Sequence, residues 1–363
     1  MTNPTPSSLG WEASNAVRLS GKQWIGVGLL AFAFFLAAPK IWIHNEPLSF
    51  EPDYRVPHAL GSDYWLYERW AAIAAKDCEV MVIGDSAIWG PYVTRDQTLP
   101  AHLNRLAGRQ RFANAAVEGM HPAALAGLVE FHGAAFARKK VVLQWNALWL
   151  SDPKLDLRAD EFDFNHPQLV PQFSPKIPCL REDTSHRIGS ALERGVDFCD
   201  WTNHLQISYF EAKNIPQWTI EHPDRNPLKA LTFKLPPSDD RPEDGKAVSW
   251  AERKMPRRDF EWVDLATSIQ WRSFQRIVEI LEKRGCTVFV LVGPFNEPML
   301  KDASLETYRK FRTETVEAWL KARNTPFWTA PALPSDLYAD ASHPLAKGYE
   351  LLAQQLSTQA FFK

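Results

Sequence analysis

The sequence predicts an α/β fold in which five parallel strands form one sheet with helices on its faces. Three observations carry this prediction. Short apolar runs alternate with helix-like patterns along most of the chain, the alternation fails between residues 151 and 260, and one long apolar run lies near the amino terminus. The first observation predicts the parallel sheet, the second an inserted cap region, and the third a transmembrane helix.

The composition is that of a folded protein without a strong electrostatic partner. The chain has 363 residues, of which 45% are hydrophobic and 23% are charged, and its formal net charge is -2. This balance excludes a disordered chain and provides a substantial core. Because the net charge is close to zero, we expect no nucleic-acid partner.

The apolar run at residues 24–43 predicts a membrane anchor. It is uncharged except for Lys40, and at about 1.5 Å per residue it covers the roughly 30 Å of a bilayer core. Basic residues precede the run and acidic residues follow it: Arg18 and Lys22 before, and Glu46, Glu51 and Asp53 after. We therefore expect residues 1–23 to be a cytoplasmic tail, 24–43 the transmembrane anchor, and 44–363 a catalytic domain in the periplasm or outside the cell.

Two alternatives to the anchor stay open. A cleaved signal peptide is one, because the uncharged core from Gln23 to Ala38 is short, although the site around Ala37 is poor, with bulky Phe35 before it and Pro39 after it. A buried helix of a soluble protein is the other. Either an anchor or a signal peptide exports the rest of the chain.

The four cysteines predict one disulfide bond and no metal site. Cys179 and Cys199 flank a polar stretch and are expected to be bridged in an oxidising compartment, whereas Cys78 and Cys286 precede apolar runs and are expected to be small core residues. The sequence has no C-x-x-C, H-E-x-x-H or H-x-H pattern. We therefore predict no structural or catalytic zinc and no other cofactor.

Five apolar runs predict the strands of the sheet, and six amphipathic patterns predict helices around it. The strands are expected at residues 79–83, 112–116, 141–145, 286–292 and 325–330. The helices are expected at residues 63–75, 100–107, 123–138, 264–285 with Asp264 as its cap, 304–323 and 345–356. This order predicts a flavodoxin-like sheet, whose binding sites lie outside the carboxyl ends of the strands.

Residues 151–260 interrupt the alternation. The stretch is rich in Pro, Asp and Arg, and it holds Trp201, Trp218 and Trp250 without any sustained period. Because a structureless loop of this length is improbable in a compact domain, we interpret it as a cap inserted between the third and fourth strands, with a mobile segment at Pro236 to Lys246.

A serine and a histidine lie at two predicted strand ends. Ser86 follows the first strand in the run Val82 to Ala87, and the loop after the fifth strand carries Asp340 and His343. A serine hydroxyl needs a base that is oriented by a third group. The three-residue spacing lets Asp340 accept from one ring nitrogen of His343 while the other faces Ser86, which predicts a catalytic triad.

Two more strand ends supply candidate donors for an oxyanion. Gly119 follows the second strand and can present a backbone N–H, and Asn146 follows the third strand and can present its side-chain amide. Trp89 and Trp149 each stand three residues beyond a proposed site position, and we expect both to line the substrate site.

On these residues the chain resembles the SGNH (GDSL-type) hydrolase superfamily. Its blocks are matched by Gly84-Asp85-Ser86, by Asn114 with Gly119, by Asn146, and by Asp340 with His343. The resemblance covers residues 79–147 and 286–357, outside the cap. It implies that Ser86 is the nucleophile, His343 the general base and acid, Asp340 its orienter, and that the N–H groups of Ser86 and Gly119 with the Asn146 amide form the oxyanion hole.

The departures from that pattern point to a particular branch. No Leu follows Gly-Asp-Ser, and the third block reads Gln144-Trp145-Asn146-Ala147. The membrane-anchored members with such blocks resemble the proteins that O-acetylate exopolysaccharides, of the alginate acetylation type. This resemblance implies an acyl donor, a polysaccharide acceptor and, as partner, a multipass membrane acyltransferase.

Three functions therefore follow from the sequence. The first is acyl transfer to a cell-surface polysaccharide through an acyl-serine intermediate. The second is hydrolysis of a carbohydrate or lipid ester by the same residues. The third is a non-catalytic glycan-binding or scaffold protein, against which the presence of Ser86, Asp340 and His343 argues.

Overall fold

A computed structural model describes residues 19–50, 53–234 and 247–363. The chain forms two compact units, Met1–Asn45 and Glu46–Lys363. The predicted mobile segment Pro236 to Lys246 lies outside the described residues.

The first unit contains one long helix, α1, at Gly21–Asn45. Its 25 residues enclose the predicted segment 24–43, and its length and composition are sufficient to cross a membrane. The large apolar side chains along it are mostly exposed, with Leu30 at 73%. This exposure is typical of a helix that faces lipid and is rare for a helix in a soluble core.

The second unit is built on a sheet of five parallel strands in the order β2-β1-β3-β4-β5. The strands are β1 Val80–Ile83, β2 Phe112–Asn114, β3 Lys140–Trp145, β4 Thr287–Val292 and β5 Phe327–Thr329. This order is the flavodoxin type. The prediction of a five-stranded parallel sheet with covering helices is confirmed.

Twelve α-helices of the second unit lie in the described residues. They are α2 Tyr64–Asp77, α3 Ser86–Trp89, α4 Leu99–Ala107, α5 Pro122–Gly127, α6 Thr184–Glu193, α7 Asp197–Phe210, α8 Ile215–Glu221, α9 Pro227–Ala230, α10 Ile269–Lys283, α11 Asp302–Phe311, α12 Ala318–Ala322 and α13 Ala346–Leu356. π-Helical turns at Leu128–His132 and Arg312–Glu317 follow α5 and α11.

The sheet separates two apolar cores because alternate side chains of each strand point to opposite faces. On β1, Met81 and Ile83 pack into a core with α2, α5 and α10, whereas Val80 and Val82 pack into a core with α4 and α13. All four residues of β1 are fully buried. This burial on both faces explains why the strands read as continuous apolar runs.

Three predicted helices differ in detail from the structure, and the one expected at 304–323 is divided into α11 and α12 by the π-helical turn at Arg312–Glu317. The helix before β4 is capped by Ser268, whose hydroxyl accepts from Trp271 N at 3.0 Å. The predicted cap, Asp264, lies in the preceding turn instead, where its carboxylate accepts from Ala266 N. The helix expected at 123–138 ends at Gly127 and continues as the π-helical turn. There the Arg284 guanidinium donates to the Val129 and Glu130 carbonyl groups, which removes them from a regular helical ladder.

Residues 151–260 contribute helices α6 to α9 between β3 and β4. The predicted disulfide in this stretch is wrong, since all four cysteines are free thiols. Cys179 is buried in a loop with its Sγ 3.5 Å from the Leu157 carbonyl, and Cys199 lies on α7. Helix α6 separates the two in the chain, and each sulfur has its own surroundings.

Candidate active site

Ser86 is presented by a tight turn between β1 and α3. Gly84 begins the turn, and a Cβ there would lie 2.5 Å from Gln144 Oε1 and 2.8 Å from Ile88 Cγ1, so no larger residue fits. Asp85 caps α3, with Oδ1 accepting from Ala87 N at 2.8 Å. The turn therefore places Ser86 in the first turn of α3, at the carboxyl edge of the sheet.

His343 and Asp340 reach Ser86 from the loop before α13. Asp340 Oδ1 accepts from the backbone N–H of Ser342 at 3.0 Å and of His343 at 3.1 Å, which holds the loop closed. His343 Nδ1 lies 2.7 Å and 2.8 Å from the two Asp340 carboxylate oxygens, and its Nε2 lies 2.8 Å from Ser86 Oγ. The structure thus brings the three predicted residues together in one hydrogen-bonded chain.

The surroundings of His343 favour its protonated form. Burial lowers the pKa of the imidazole, but the Asp340 carboxylate outweighs burial and raises this pKa to about 9. In turn, burial raises the pKa of Asp340, and the charge and hydrogen bonds of His343 outweigh this and hold it below its usual range. The Tyr92 ring packs edge-on against His343 at 5.5 Å. A proton taken from Ser86 would therefore be held firmly on His343.

The predicted oxyanion donors Ser86, Gly119 and Asn146 follow the carboxyl ends of β1, β2 and β3. Within the described residues, the backbone N–H groups of Ser86 and Gly119 have no protein acceptor. Gly119 is buried in a left-handed conformation with φ of 68°. Asn146 donates from Nδ2 to Asp85 Oδ2 at 2.8 Å, and its Oδ1 accepts from Leu148 N at 3.0 Å. Because an amide nitrogen carries two hydrogens, one N–H of Asn146 remains for a substrate oxygen.

The two predicted substrate tryptophans have different positions. Trp149 is half-buried and donates from its indole to Asp85 Oδ2 at 2.7 Å, beside the site. Trp89 is only 2% exposed, donates to the Val56 carbonyl at 2.5 Å, and lies under the Arg55 guanidinium at 4.1 Å. The expectation that Trp89 lines the substrate site is therefore wrong: its ring belongs to the core.

The structure gives Asp85 a role that the sequence did not predict, and it adds Arg55, a residue that the sequence did not single out. Asp85 holds Asn146 and Trp149 and caps α3, a role that its position at a strand-to-helix junction could have indicated. Arg55 is fully buried and donates to the carbonyl groups of Gly90 and Val93 after α3. No local signal marks it, because its partners lie more than thirty residues away.

This arrangement suits acyl transfer through the serine. A nucleophile with its base and orienting carboxylate, and three candidate N–H donors, follow strand ends at one edge of the sheet. In the part of the chain that the structure describes, no group of three or more His, Cys, Asp or Glu residues is arranged to hold a metal ion.

Comparisons with known proteins found a likeness among solved structures. No protein-family model matches the chain, and no curated protein matches it either. Among solved structures, the chain is similar to a protein of the G-D-S-L lipolytic family from Desulfitobacterium hafniense DCB-2. The two are 13% identical, and the likeness covers 77% of this chain and 97% of the other with a TM-score of 0.37.

Proposed function

We propose that the protein is an SGNH-type serine enzyme that transfers an acetyl or similar small acyl group to a cell-surface polysaccharide. The hydrogen-bonded chain from Asp340 through His343 to Ser86 carries this proposal. Helix α1 would anchor the enzyme, with the amino terminus in the cytoplasm and the second unit in the periplasm or outside the cell. A multipass membrane acyltransferase would supply the acyl group.

The first half of the reaction acylates the serine. His343 Nε2 takes the hydroxyl proton as Ser86 Oγ attacks the acyl carbonyl carbon, and Asp340 stabilises the imidazolium that forms. The carbonyl oxygen becomes an oxyanion facing the N–H groups of Ser86 and Gly119 and the Asn146 amide. The bond to the donor then breaks, and the leaving oxygen takes the proton from His343.

The second half moves the acyl group to the acceptor. An acceptor hydroxyl gives its proton to His343 and attacks the acyl carbon, and the proton returns to Ser86 Oγ as the old ester bond breaks. With water as the acceptor, the same residues hydrolyse esters. Ser86 is 8% exposed and His343 is 9% exposed. Whether water or a carbohydrate hydroxyl accepts the acyl group depends on which of them can reach this confined position.

The test compares the full-length protein in detergent with Ser86→Ala and, as control, Ser357→Ala at the carboxyl end of α13. With p-nitrophenyl acetate, the wild type and the control should release p-nitrophenol and gain one acetyl group on the Ser86 peptide by mass spectrometry. Ser86→Ala should do neither. Acetyl gain on an added oligosaccharide identifies transfer, and its absence with steady acetate release identifies a hydrolase. If wild type and Ser86→Ala are equally inert with every ester, the glycan-binding or scaffold function replaces this proposal.

A further inference from the structure

A cavity of about 760 Å³ is lined by side chains from residues 161–186. Phe164 lines it, and its ring packs edge-on against His121 at 5.5 Å. His121 packs against Trp149 at 5.7 Å, and Trp149 donates to Asp85, the neighbour of Ser86. Two side chains therefore connect the wall of the cavity to the turn that carries the nucleophile.

Asn165 directly follows Phe164, which lines the cavity, and its side chain lies against Gly119. A Cβ built on Gly119 would overlap Asn165 Nδ2, so the Asn165 amide lies directly against the Gly119 backbone. The Asn165 side chain is exposed, and its amide has no hydrogen-bond partner within residues 19–50, 53–234 and 247–363. The amide is thus available to a ligand at the edge of the proposed oxyanion hole.

Two neutral histidines hold Asn165 in this position. Burial lowers the pKa of His121 to about 3, and its Nδ1 accepts from Ala124 N at 3.3 Å, so Nε2 carries the proton and donates to the Asn165 carbonyl at 3.1 Å. Burial also lowers the pKa of His166. Its Nε2 lies 2.9 Å from the Glu118 carbonyl, and its Nδ1 lies 3.0 Å from the Tyr64 hydroxyl. The backbone at Asn165 is therefore held by His121 at its carbonyl group and by the hydrogen bonds of the next residue, His166.

The side chains in the cavity indicate the class of ligand. The half-buried rings of Phe162 and Phe164 offer apolar surface on which a sugar ring can stack, and carboxylates accept from sugar hydroxyl groups. The cavity is lined by four carboxylates and two basic residues: Glu161, Asp163, Glu182, Asp183, Arg181 and His186. Its volume lies in the range of about 300 to 1,000 Å³ of ordinary ligand sites.

The charge balance of the cavity disfavours a polyanionic chain. Arg181 pairs with Glu161 at 3.2 Å and His186 with Asp183 at 3.0 Å. Asp163 and Glu182 have no ion-pair partner within the described residues. The cavity is consequently negative, which repels uronate or phosphate groups and attracts an amino group.

We propose that this cavity, the acceptor cavity, binds a neutral or amino-bearing carbohydrate chain whose reacting hydroxyl is directed by the Asn165 amide toward acyl-Ser86. This proposal rests on the proposed function and names its acceptor. The hydroxyl oxygen forms the new ester bond, its proton passes through His343 to Ser86 Oγ, and the acyl-serine bond breaks. No further reactant is needed.

Binding alone provides the first test, since it needs no chemistry. Full-length Ser86→Ala is titrated with three oligosaccharides of equal length: a neutral glucan, a glucosamine oligomer with free amino groups, and an oligouronate. We expect the first two to bind and the glucosamine oligomer to bind most tightly. Asp163→Asn with Glu182→Gln should weaken the glucosamine oligomer at least fivefold. The charge-matched control Glu306→Gln with Glu314→Gln, on exposed positions far along the chain, should bind as the parent does.

Partitioning of the acyl-enzyme provides the second test. With p-nitrophenyl acetate as donor, the ratio of acetylated oligosaccharide to free acetate reports only the acceptor step. Asn165→Ala should lower this ratio about tenfold through the loss of one hydrogen bond, and Asn165→Gln should restore part of it. Tighter binding of the oligouronate, or an unchanged ratio in Asn165→Ala, would overturn the acceptor proposal. If the enzyme never releases p-nitrophenol, the proposed function is wrong instead. The titration then still shows whether the cavity binds the carbohydrate.

Discussion

Asp85 accepts a hydrogen bond from the Asn146 side-chain amide at 2.8 Å. The same oxygen accepts from Trp149 Nε1 at 2.7 Å, and the other oxygen caps α3 through Ala87 N. One buried carboxylate therefore connects the end of β1 to the end of β3 and sets the direction of the Asn146 amide. Asp85 thus accepts three hydrogen bonds, which compensate for the absence of water around its buried carboxylate.

Asp85→Asn tests this connection. An asparagine has nearly the same size, but its amide nitrogen cannot accept a hydrogen bond. With that nitrogen in place of Oδ2, the Asn146 amide loses its hydrogen-bond acceptor. We expect kcat/KM for p-nitrophenyl acetate to fall about tenfold to a hundredfold, and the free energy of unfolding to fall by about 1 to 3 kcal/mol. The control is Asp264→Asn, whose carboxylate caps an exposed turn and should change neither quantity appreciably. Wild-type kcat/KM in Asp85→Asn would refute a role in positioning Asn146.

The raised pKa of His343 predicts an alkaline rate profile. Only the neutral imidazole can take the proton from Ser86, so kcat/KM for p-nitrophenyl acetate should rise with pH up to about 9. Asp340→Asn removes the carboxylate that raises this pKa. The rising limb should then move to lower pH, while the maximal rate falls because the imidazolium is no longer stabilised. Rates of Ser86→Ala give the uncatalysed background, and a limb that stays in place in Asp340→Asn would contradict the assignment.

Gly119→Ala tests the left-handed turn beside Asn165. Its φ of 68° costs an alanine about 1 to 2 kcal/mol, and the new Cβ would also strike Asn165 Nδ2. Gly108→Ala is the matched control, because φ is 67° and a Cβ there meets nothing within 4 Å. We expect equal backbone costs in urea unfolding, with an additional loss in Gly119→Ala. Only Gly119→Ala should lose p-nitrophenyl acetate turnover, by at least tenfold; equal turnover in both variants would contradict the predicted oxyanion role.

A buried ionic cluster predicts the pH dependence of stability. His204 is fully buried, 2.7 Å from Asp63 and 3.1 Å from Glu46. Burial lowers the pKa of His204, but the two carboxylates outweigh it and raise this pKa to about 9. Burial raises the pKa of Glu46, and its contacts with His204, Tyr209 and Arg69 outweigh this and lower it to about 2.

The two shifts act at opposite ends of the pH range. Stabilisation from His204 is fully present below its unfolded pKa of about 6.5 and is lost as pH rises through about 9. Stabilisation from Glu46 is present above about 4.5 and is lost as pH falls toward 2. His204→Gln should therefore lower the free energy of unfolding by about 3 kcal/mol at pH 5.5 and much less at pH 9.5, as measured in urea. The exposed-site control His186→Gln should show little loss, and equal losses at both pH values in His204→Gln would count against the cluster.

Trp89 and Trp149 could not be distinguished from the sequence alone. Each follows a predicted site residue by three positions, and the chain offers no local difference between them. Trp149 reaches Asp85, whereas Trp89 is covered by Arg55, which arrives from a segment more than thirty residues earlier. The positions of Asn165 and Cys179 likewise depend on contacts with residues more than twenty positions away in the chain, His121 and Leu157. An irregular stretch has no period from which such contacts can be predicted.

The sequence by itself determined the sheet, the edge at which the site lies, and the three residues that meet there. These features follow from local rules: apolar runs buried on both faces become parallel strands, their carboxyl ends share one edge, and three-residue spacing brings Asp340 to His343. Only the tertiary structure decided how Asp85 holds Asn146, how Asn165 covers Gly119, and which tryptophan joins the core. These are contacts between segments far apart in the chain, and their geometry depends on how the whole chain packs.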